Sequence, residues 1–298
     1  MIREHVELQE HSVEVASGER FEFGKNWASF LKTVDDQRVD EAKKSLTAML
    51  DAVDLKGKTF LDVGCGSGLF SLAARLLGAR VHSLDYDPSS VQCARELKRR
   101  YAPEDLNWTI EEGSALDQAY LSALGRFDVV YSWGVLHHTG SMWIALDNVG
   151  DLVASEGSLF IAIYNDQGSR SVRWRKVKEL YNRLPPYLRF LIVVPFSCVL
   201  LWRPFVKGVL RGRPLEFFRD YKKRRGMSVW HDVLDWLGGL PFEVAKPEAI
   251  FDFYKARGFA LSRLVTDRGS GCNEFVFVKE GSSATATNTR RVDRTGSH

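Results

Sequence analysis

Between Thr59 and Ala74 the chain reads TFLDVGCGSGLFSLAA: a short β-type run (Phe60 to Val63), three glycines, then apolar positions at helical spacing. Runs of the same strand character recur at ARVHSLD (79–85), WTIEE (108–112), FDVVYSW (127–133) and GSLFIAIYN (157–165). Far along the chain, PEAIFDFYKARGF (247–259) has helical amphipathicity, with proline at its start and Gly258 as its stop; FALSRLV and NEFVFVK follow as two strands. Strands alternating with helices predict an α/β fold with a largely parallel sheet. Near the N-terminus, FEFGKNWASFLKTV (21–34) places aromatic residues beside a glycine and then turns helical. One run does not fit a soluble α/β pattern: RFLIVVPFSCVLLWRPF (189–205), uncharged from Phe190 to Trp202.

A strand that enters a glycine turn and opens a helix is a nucleotide-type site, because glycine permits a sharp turn and close backbone approach. A dinucleotide fingerprint would need glycine at position 69, where Leu69 stands; the spacing is instead Gly64, Gly66 and Gly68, with Asp62 inside the strand end. A second strand ends in acid at Asp85, seventeen residues past Gly68. A carboxylate there suits a pair of ribose hydroxyls, and Asp87-Pro88 supplies a helix start.

These motifs, in order and with the closing helix and two strands, resemble class I S-adenosylmethionine (SAM) methyltransferases over roughly residues 50–165 and 247–279. The resemblance implies a Rossmann-like seven-stranded sheet closed by an antiparallel strand, with SAM as cofactor. It places Asp62, Gly64, Gly66 and Gly68 in the first motif, Asp85 on the ribose and Tyr86 beside the adenine. It also puts Ser114 and Ala115 at the adenine amino group, where the family often has an acid, and Ser132 and Trp133 near the transferable methyl. Phe23, Asn26 and Trp27 are candidates to close the cofactor pocket from the N-terminus, or simply to pack that helix on the sheet.

The organisation that follows is an N-terminal helical lid (1–50), a core (51–165 and 247–279), an inserted cap (166–246) and a disordered polar tail (280–298). Charge singles out the cap. Arg170 to Arg225 holds sixteen Lys/Arg against three Asp/Glu, a net of +13 in a chain of +3, which leaves −10 for the rest. Basic charge with aromatic residues fits either nucleic acid or an anionic membrane surface. The apolar run favours the membrane, through residues 187–225, and makes nucleic acid an unlikely partner. Thirteen residues interrupted by Pro195 are too short to span a bilayer, so the run is expected to lie in the interface. A buried cap helix and an oligomer contact remain the alternatives. Ubiquinone-pathway O-methyltransferases resemble this chain in the position and character of such an insert.

Methyl transfer to a hydroxyl needs a proton acceptor. His137 and His138 follow the fourth strand; His231 beside Asp232 lies in GMSVWHDVLDWLGGLPFE (226–243), where Gly238, Gly239 and Pro241 make a tight loop. Each histidine is a candidate base, and each has a structural alternative as a helix-end or surface residue. Tyr164 and Asn165, at the end of the fifth strand, are candidate substrate contacts. The four cysteines are scattered, without a CxxC or a His/Cys cluster, so neither a disulfide framework nor a metal site is expected. No (D/N)PP(Y/F) follows the fourth strand and no Pro-Cys pair occurs, which disfavours methylation of nucleobase amino groups or C5 carbons. The expected function is SAM-dependent O-methylation of a small or lipid-linked hydroxyl compound. A soluble metabolite, sugar or peptide acceptor under a lid is the alternative; an RNA methyltransferase or a non-catalytic SAM-binding protein ranks lower. The charged start reads as no signal peptide, so the expected location is cytoplasmic, peripheral on the inner face of the membrane.

Overall fold

The computed structural model describes residues 11–213, 229–267, 269 and 271–281. After a helical stretch at 11–17, two helices precede the sheet: α1 (Phe23–Leu31) and α2 (Asp36–Leu50). The core then alternates β1 (Thr59–Val63), α3 (Leu69–Leu76), β2 (Arg80–Asp85), α4 (Pro88–Tyr101), β3 (Trp108–Glu112), α5 (Gln118–Leu124), β4 (Phe127–Trp133), α6 (Met142–Asp151) and β5 (Val153–Tyr164). The cap contributes α7 (Ser169–Arg183), α8 (Phe190–Leu210) and α9 (Val229–Gly238) before α10 (Pro247–Lys255), β6 (Phe259–Val265) and β7 (Cys272–Lys279) return to the core.

The sheet order is β3-β2-β1-β4-β5-β7-β6. Strands β1 to β5 pair in parallel, while β7 lies antiparallel between β5 and β6. Strand order reverses between β1 and β4, which opens a crevice at their C-terminal ends where α/β proteins bind ligands. One sheet face buries Leu61, Val130 and Ile161 against α6 and α10; the other buries Phe60, Tyr131 and Phe160 against α2, α3 and α4. A third, separate cluster, Tyr181, Val193, Val233 and Leu237, is the cap's own core.

The turn after β4 is a short 3-10 turn at Leu136–His138. One expectation changes. The apolar run is not broken at Pro195: α8 continues for 21 residues with Pro195 and Pro204 inside it. A proline removes one helical hydrogen bond and bends the helix without having to end it. The carbonyl that Pro195 frees is that of Leu191, an exposed residue, so it is not trapped in the core. The tail from residue 282 on lies outside the described residues.

Candidate active site

The glycine turn is built on backbone that only glycine adopts readily. Gly64, Gly66 and Gly68 have φ of +80°, +52° and +78°. A Cβ on Gly64 would lie 2.3 Å from a Val135 methyl, and one on Gly66 would lie 2.8 Å from the Trp27 indole. Trp27 of α1 therefore lies over the loop.

Asp85, at the end of β2, is tied to this loop. Its Oδ2 accepts from Gly66 N at 2.8 Å and its Oδ1 from Asp87 N at 2.9 Å. Burial is the largest influence on the carboxyl and pushes its pKa up to about 7, against these two donors, which lower it. Such a carboxylate has lone pairs to spare and gains from further donors, the chemistry a ribose diol offers. Asp87 caps α4 through Ser89 N at 2.8 Å and also accepts from Gly24 N at 2.7 Å, so it clamps α1 to the nucleotide side. Tyr86 is covered by the same N-terminal segment, with the Arg20 guanidinium 4.9 Å from its ring centre and the His11 ring at 5.4 Å.

Asp62 takes a different place from its neighbours in the motif. It is 2% exposed and accepts from Ser71 Oγ at 2.5 Å; Ser71 bonds Ser83, which accepts from Trp108 Nε1. This buried chain props β1 against α3, β2 and β3 from within. Burial pushes the Asp62 carboxyl up to about 7, with the Asp85 charge adding to the rise.

Several other expected contacts are redirected. Ser132 donates to Val63 O at 2.8 Å, which stitches β4 to β1 and uses its hydroxyl inside the sheet. Trp133 hydrogen-bonds Glu274 on β7, away from β1 and β2. The Ser114 hydroxyl accepts from its own turn at Leu116 N, and buried Ala115 gives its carbonyl to Asn148. Phe23 does not face the loop; its ring lies 5.0 Å from that of His138. Asn165 spends its side-chain amide on the carbonyls of Asp267 and Gly269, in the β6–β7 connection. Gly238 makes room for Phe21, whose ring would lie 2.2 Å from a Cβ there, rather than for a ligand. The side chains of His231 and Asp232 lie outside the described residues.

A second group of side chains gathers at the ends of β4 and β5. The rings of His137 and Tyr164 are 4.0 Å apart, those of His138 and Tyr164 are 5.4 Å apart, and Phe242 closes on Tyr164 at 5.4 Å. Glu243 fastens the loop from α9 to this group: its N–H donates to His137 O, and its carboxylate accepts from Met142 N. The cap completes the wall with Lys178, fully buried on α7, which donates to Trp236 O and lies 4.9 Å from the Phe242 ring centre. Lys178 follows from one signal in the sequence: it shares a helical stripe with Trp174 and Tyr181.

Burial holds both imidazoles neutral. The pKa of His137 is driven well below the usual value, and that of His138 falls to about 3, by burial first and then by neighbouring charge including Lys178. His138 Nδ1 lies 2.6 Å from Pro241 O. A carbonyl only accepts, so Nδ1 carries the proton and Nε2 the lone pair. Arg20, from the strap over Tyr86, donates to His138 O at 3.0 Å and so links the nucleotide side to this group. Among the described residues no cluster could hold a metal ion.

A family model described as a methyltransferase domain matches residues 61–159. Ribosomal protein L11 methyltransferases are similar over a short stretch: 51% identical over 57 residues in Alteromonas mediterranea and 46% over 66 residues in Tolumonas auensis. These stretches are 19% of this chain, which spans only 20% and 23% of the length of those relatives. Magnesium protoporphyrin IX methyltransferase from Synechocystis PCC 6803, crystallised with SAH, is similar in fold, with a TM-score of 0.52 and 14% identity over 86% of this chain and 94% of that one. The chain thus carries a SAM-dependent methyltransferase domain, matched over residues 61–159, on a sheet similar in fold to that of the magnesium protoporphyrin IX methyltransferase.

Proposed function

We propose that the protein transfers a methyl group from SAM to a hydroxyl of a small or lipid-linked compound met at a membrane surface. When bound, SAM supplies a methyl carried on a sulfonium. Asp85 accepts hydrogen bonds from the ribose side, Gly64–Gly68 give the close backbone approach, Trp27 covers the site from the lid and Tyr86 borders it from the core.

One observation carries the O-methylation reading: the neutral His138 imidazole, with its proton committed to Pro241 O and its lone pair on Nε2. That lone pair is the acceptor for a hydroxyl proton as the oxygen attacks. Its low basicity is offset where the acceptor oxygen carries developing negative charge beside the new imidazolium. Phe23, Tyr164 and Phe242 give an apolar wall that excludes water and suits an aromatic or hydrocarbon acceptor. The exposed apolar helix of the cap favours an acceptor held in lipid. The L11-type similarity is confined to a stretch too short to carry an acceptor with it.

The test is methylation of hydroxyl compounds in aqueous and lipid extracts, followed as the gain of one methyl by mass. His138→Gln should lower turnover by about 10²–10⁴-fold with SAM affinity kept. Full activity in that variant, or a product methylated on nitrogen, sinks the O-methylation reading.

A further inference from the structure

Helix α8 is long and apolar enough to cross a membrane by length and composition, and only 6% of its apolar window is buried. Its inner face, Ile192, Val193, Phe196 and Leu200, packs on the cap core with Val233 and Leu237. Its outer face carries Leu191, Val194, Cys198, Trp202, Phe205 and Val209 at helical spacing, all exposed, with no polar position between them on that stripe. From residue 180 to 215 there are six Lys/Arg and no acidic residue. Arg203 and Lys207 lie on α8 itself and are exposed, on the side opposite that stripe, where they continue the face of Phe196 and Leu200 past the cap core.

We infer that α8 lies in the plane of an anionic lipid bilayer, with its outer stripe in the acyl region and Arg203 and Lys207 on the opposite, headgroup side. The charge fits anionic headgroups, each basic residue near the surface adding to the attraction. A crossing orientation fails on connection. α7 and α9 pack together, through Lys178 to Trp236 O and Asn182 to Gly238 O, so both ends of the insert start from one side. A single crossing would have to return through residues 214–228, which hold five Lys/Arg and two Asp/Glu. The inner-face contacts also run alongside the cap from Ile192 to Leu201, which keeps the N-terminal half of α8 parallel to it. The inference names the partner of the proposed membrane-borne acceptor, but its test contains neither cofactor nor acceptor and so fails or stands apart from the catalytic reading.

The full chain should co-sediment with phosphatidylcholine vesicles containing phosphatidylglycerol and much less with phosphatidylcholine alone. Val199→Asp and Trp202→Asp, at residues 78% and 67% exposed, should leave the fold intact and each weaken binding about tenfold or more. With Cys272→Ser, Cys198 becomes the one labelling site among the described cysteines, since Cys65 and Cys93 are buried. A fluorophore on Cys198, close to the middle of α8, should be quenched best by shallow lipid-borne quenchers. Best quenching at the bilayer centre means a crossing helix and overturns the in-plane orientation. A chain that stays in the supernatant with both vesicles, whether as a monomer or as a dimer that Trp202→Asp dissociates, overturns the lipid partner.

Discussion

The indole of Trp27 lies directly over Gly66, so near that a single added methyl on the glycine would come within 2.8 Å of the ring. Gly66 also has φ of +52° and donates its N–H to Asp85. Gly66→Ala therefore does two things at once: it strains the backbone and pushes either the lid or the loop outward. The fold core does not depend on this contact. The expected outcome is a folded protein whose SAM affinity drops at least about tenfold, of the order expected from strain of 1–3 kcal/mol, read by calorimetry. Unchanged affinity means the loop does not approach the ligand.

Asp85 is held near its midpoint by burial, with its pKa pushed up to about 7 from an ordinary 3.8. Only the ionised form accepts from two hydroxyls. SAM affinity should thus rise with pH through about 7 and flatten above it, and binding below that pH should release protons. The sign follows from the direction: a ligand that donates to the carboxylate lowers its pKa and expels the proton. Calorimetry in buffers of different ionisation enthalpy measures the release. Asp85→Asn should abolish both the pH dependence and most of the affinity; a pH-independent wild type refutes the ribose role.

His138 is the reverse case. Its pKa falls to about 3 in the folded protein, against 6.5 for an ordinary histidine. An unfolded chain takes up a proton there below about 6.5 and the folded one does not, so this residue's contribution to stability is lost as pH falls through that window. Wild type and His138→Gln should therefore converge in stability, or cross, as pH drops from 7 toward 4, measured by urea unfolding. In activity the same residue should show no histidine-like fall near pH 6.5. A wild-type rate that halves there, with the fold intact, would assign the base to another group.

The parts of this protein legible in sequence are those set by local pattern. The β1 loop, Asp85 after β2 and the closing strands each follow from periodicity and glycine spacing within a dozen residues. What sequence reading misplaces is set by which way a side chain turns once strands are paired. Ser132 reads as a cofactor contact because it ends β4, yet strand alternation aims it at Val63 O. Asn165 ends β5 and reads as a substrate contact, but the β6–β7 turn returns a hundred residues later to take its amide. Phe23 is close in sequence to Trp27, but the strap carries it past the nucleotide side to His138. Lys178 stands in a run of basic residues and reads as a solvated charge unless its helical stripe with Trp174 and Tyr181 is weighed; the packing of α7 on α9 is what buries it.

Lys178 also explains part of why the two histidines stay neutral. Its charge lowers both imidazole pKa values, behind burial in the case of His138 and behind burial and His138 itself in the case of His137. Lys178→Met keeps the length and the apolar stem of the side chain while removing the charge. The expected result is an upward shift of the His138 pKa from about 3 that still stops short of 6.5, because burial, the larger influence, remains. Imidazole proton or nitrogen resonances followed against pH report this directly and separate it from a loss of fold, which would bring both histidines to ordinary values together. In turnover, the variant makes the imidazole a stronger base while taking a cation away from the acceptor oxygen. If the lone pair of His138 is what limits the reaction, kcat rises at neutral pH; if Lys178 steadies a developing oxyanion, kcat falls although the histidine has become more basic. A pKa that does not move in Lys178→Met refutes the coupling between the cap and the strand ends on which both outcomes depend.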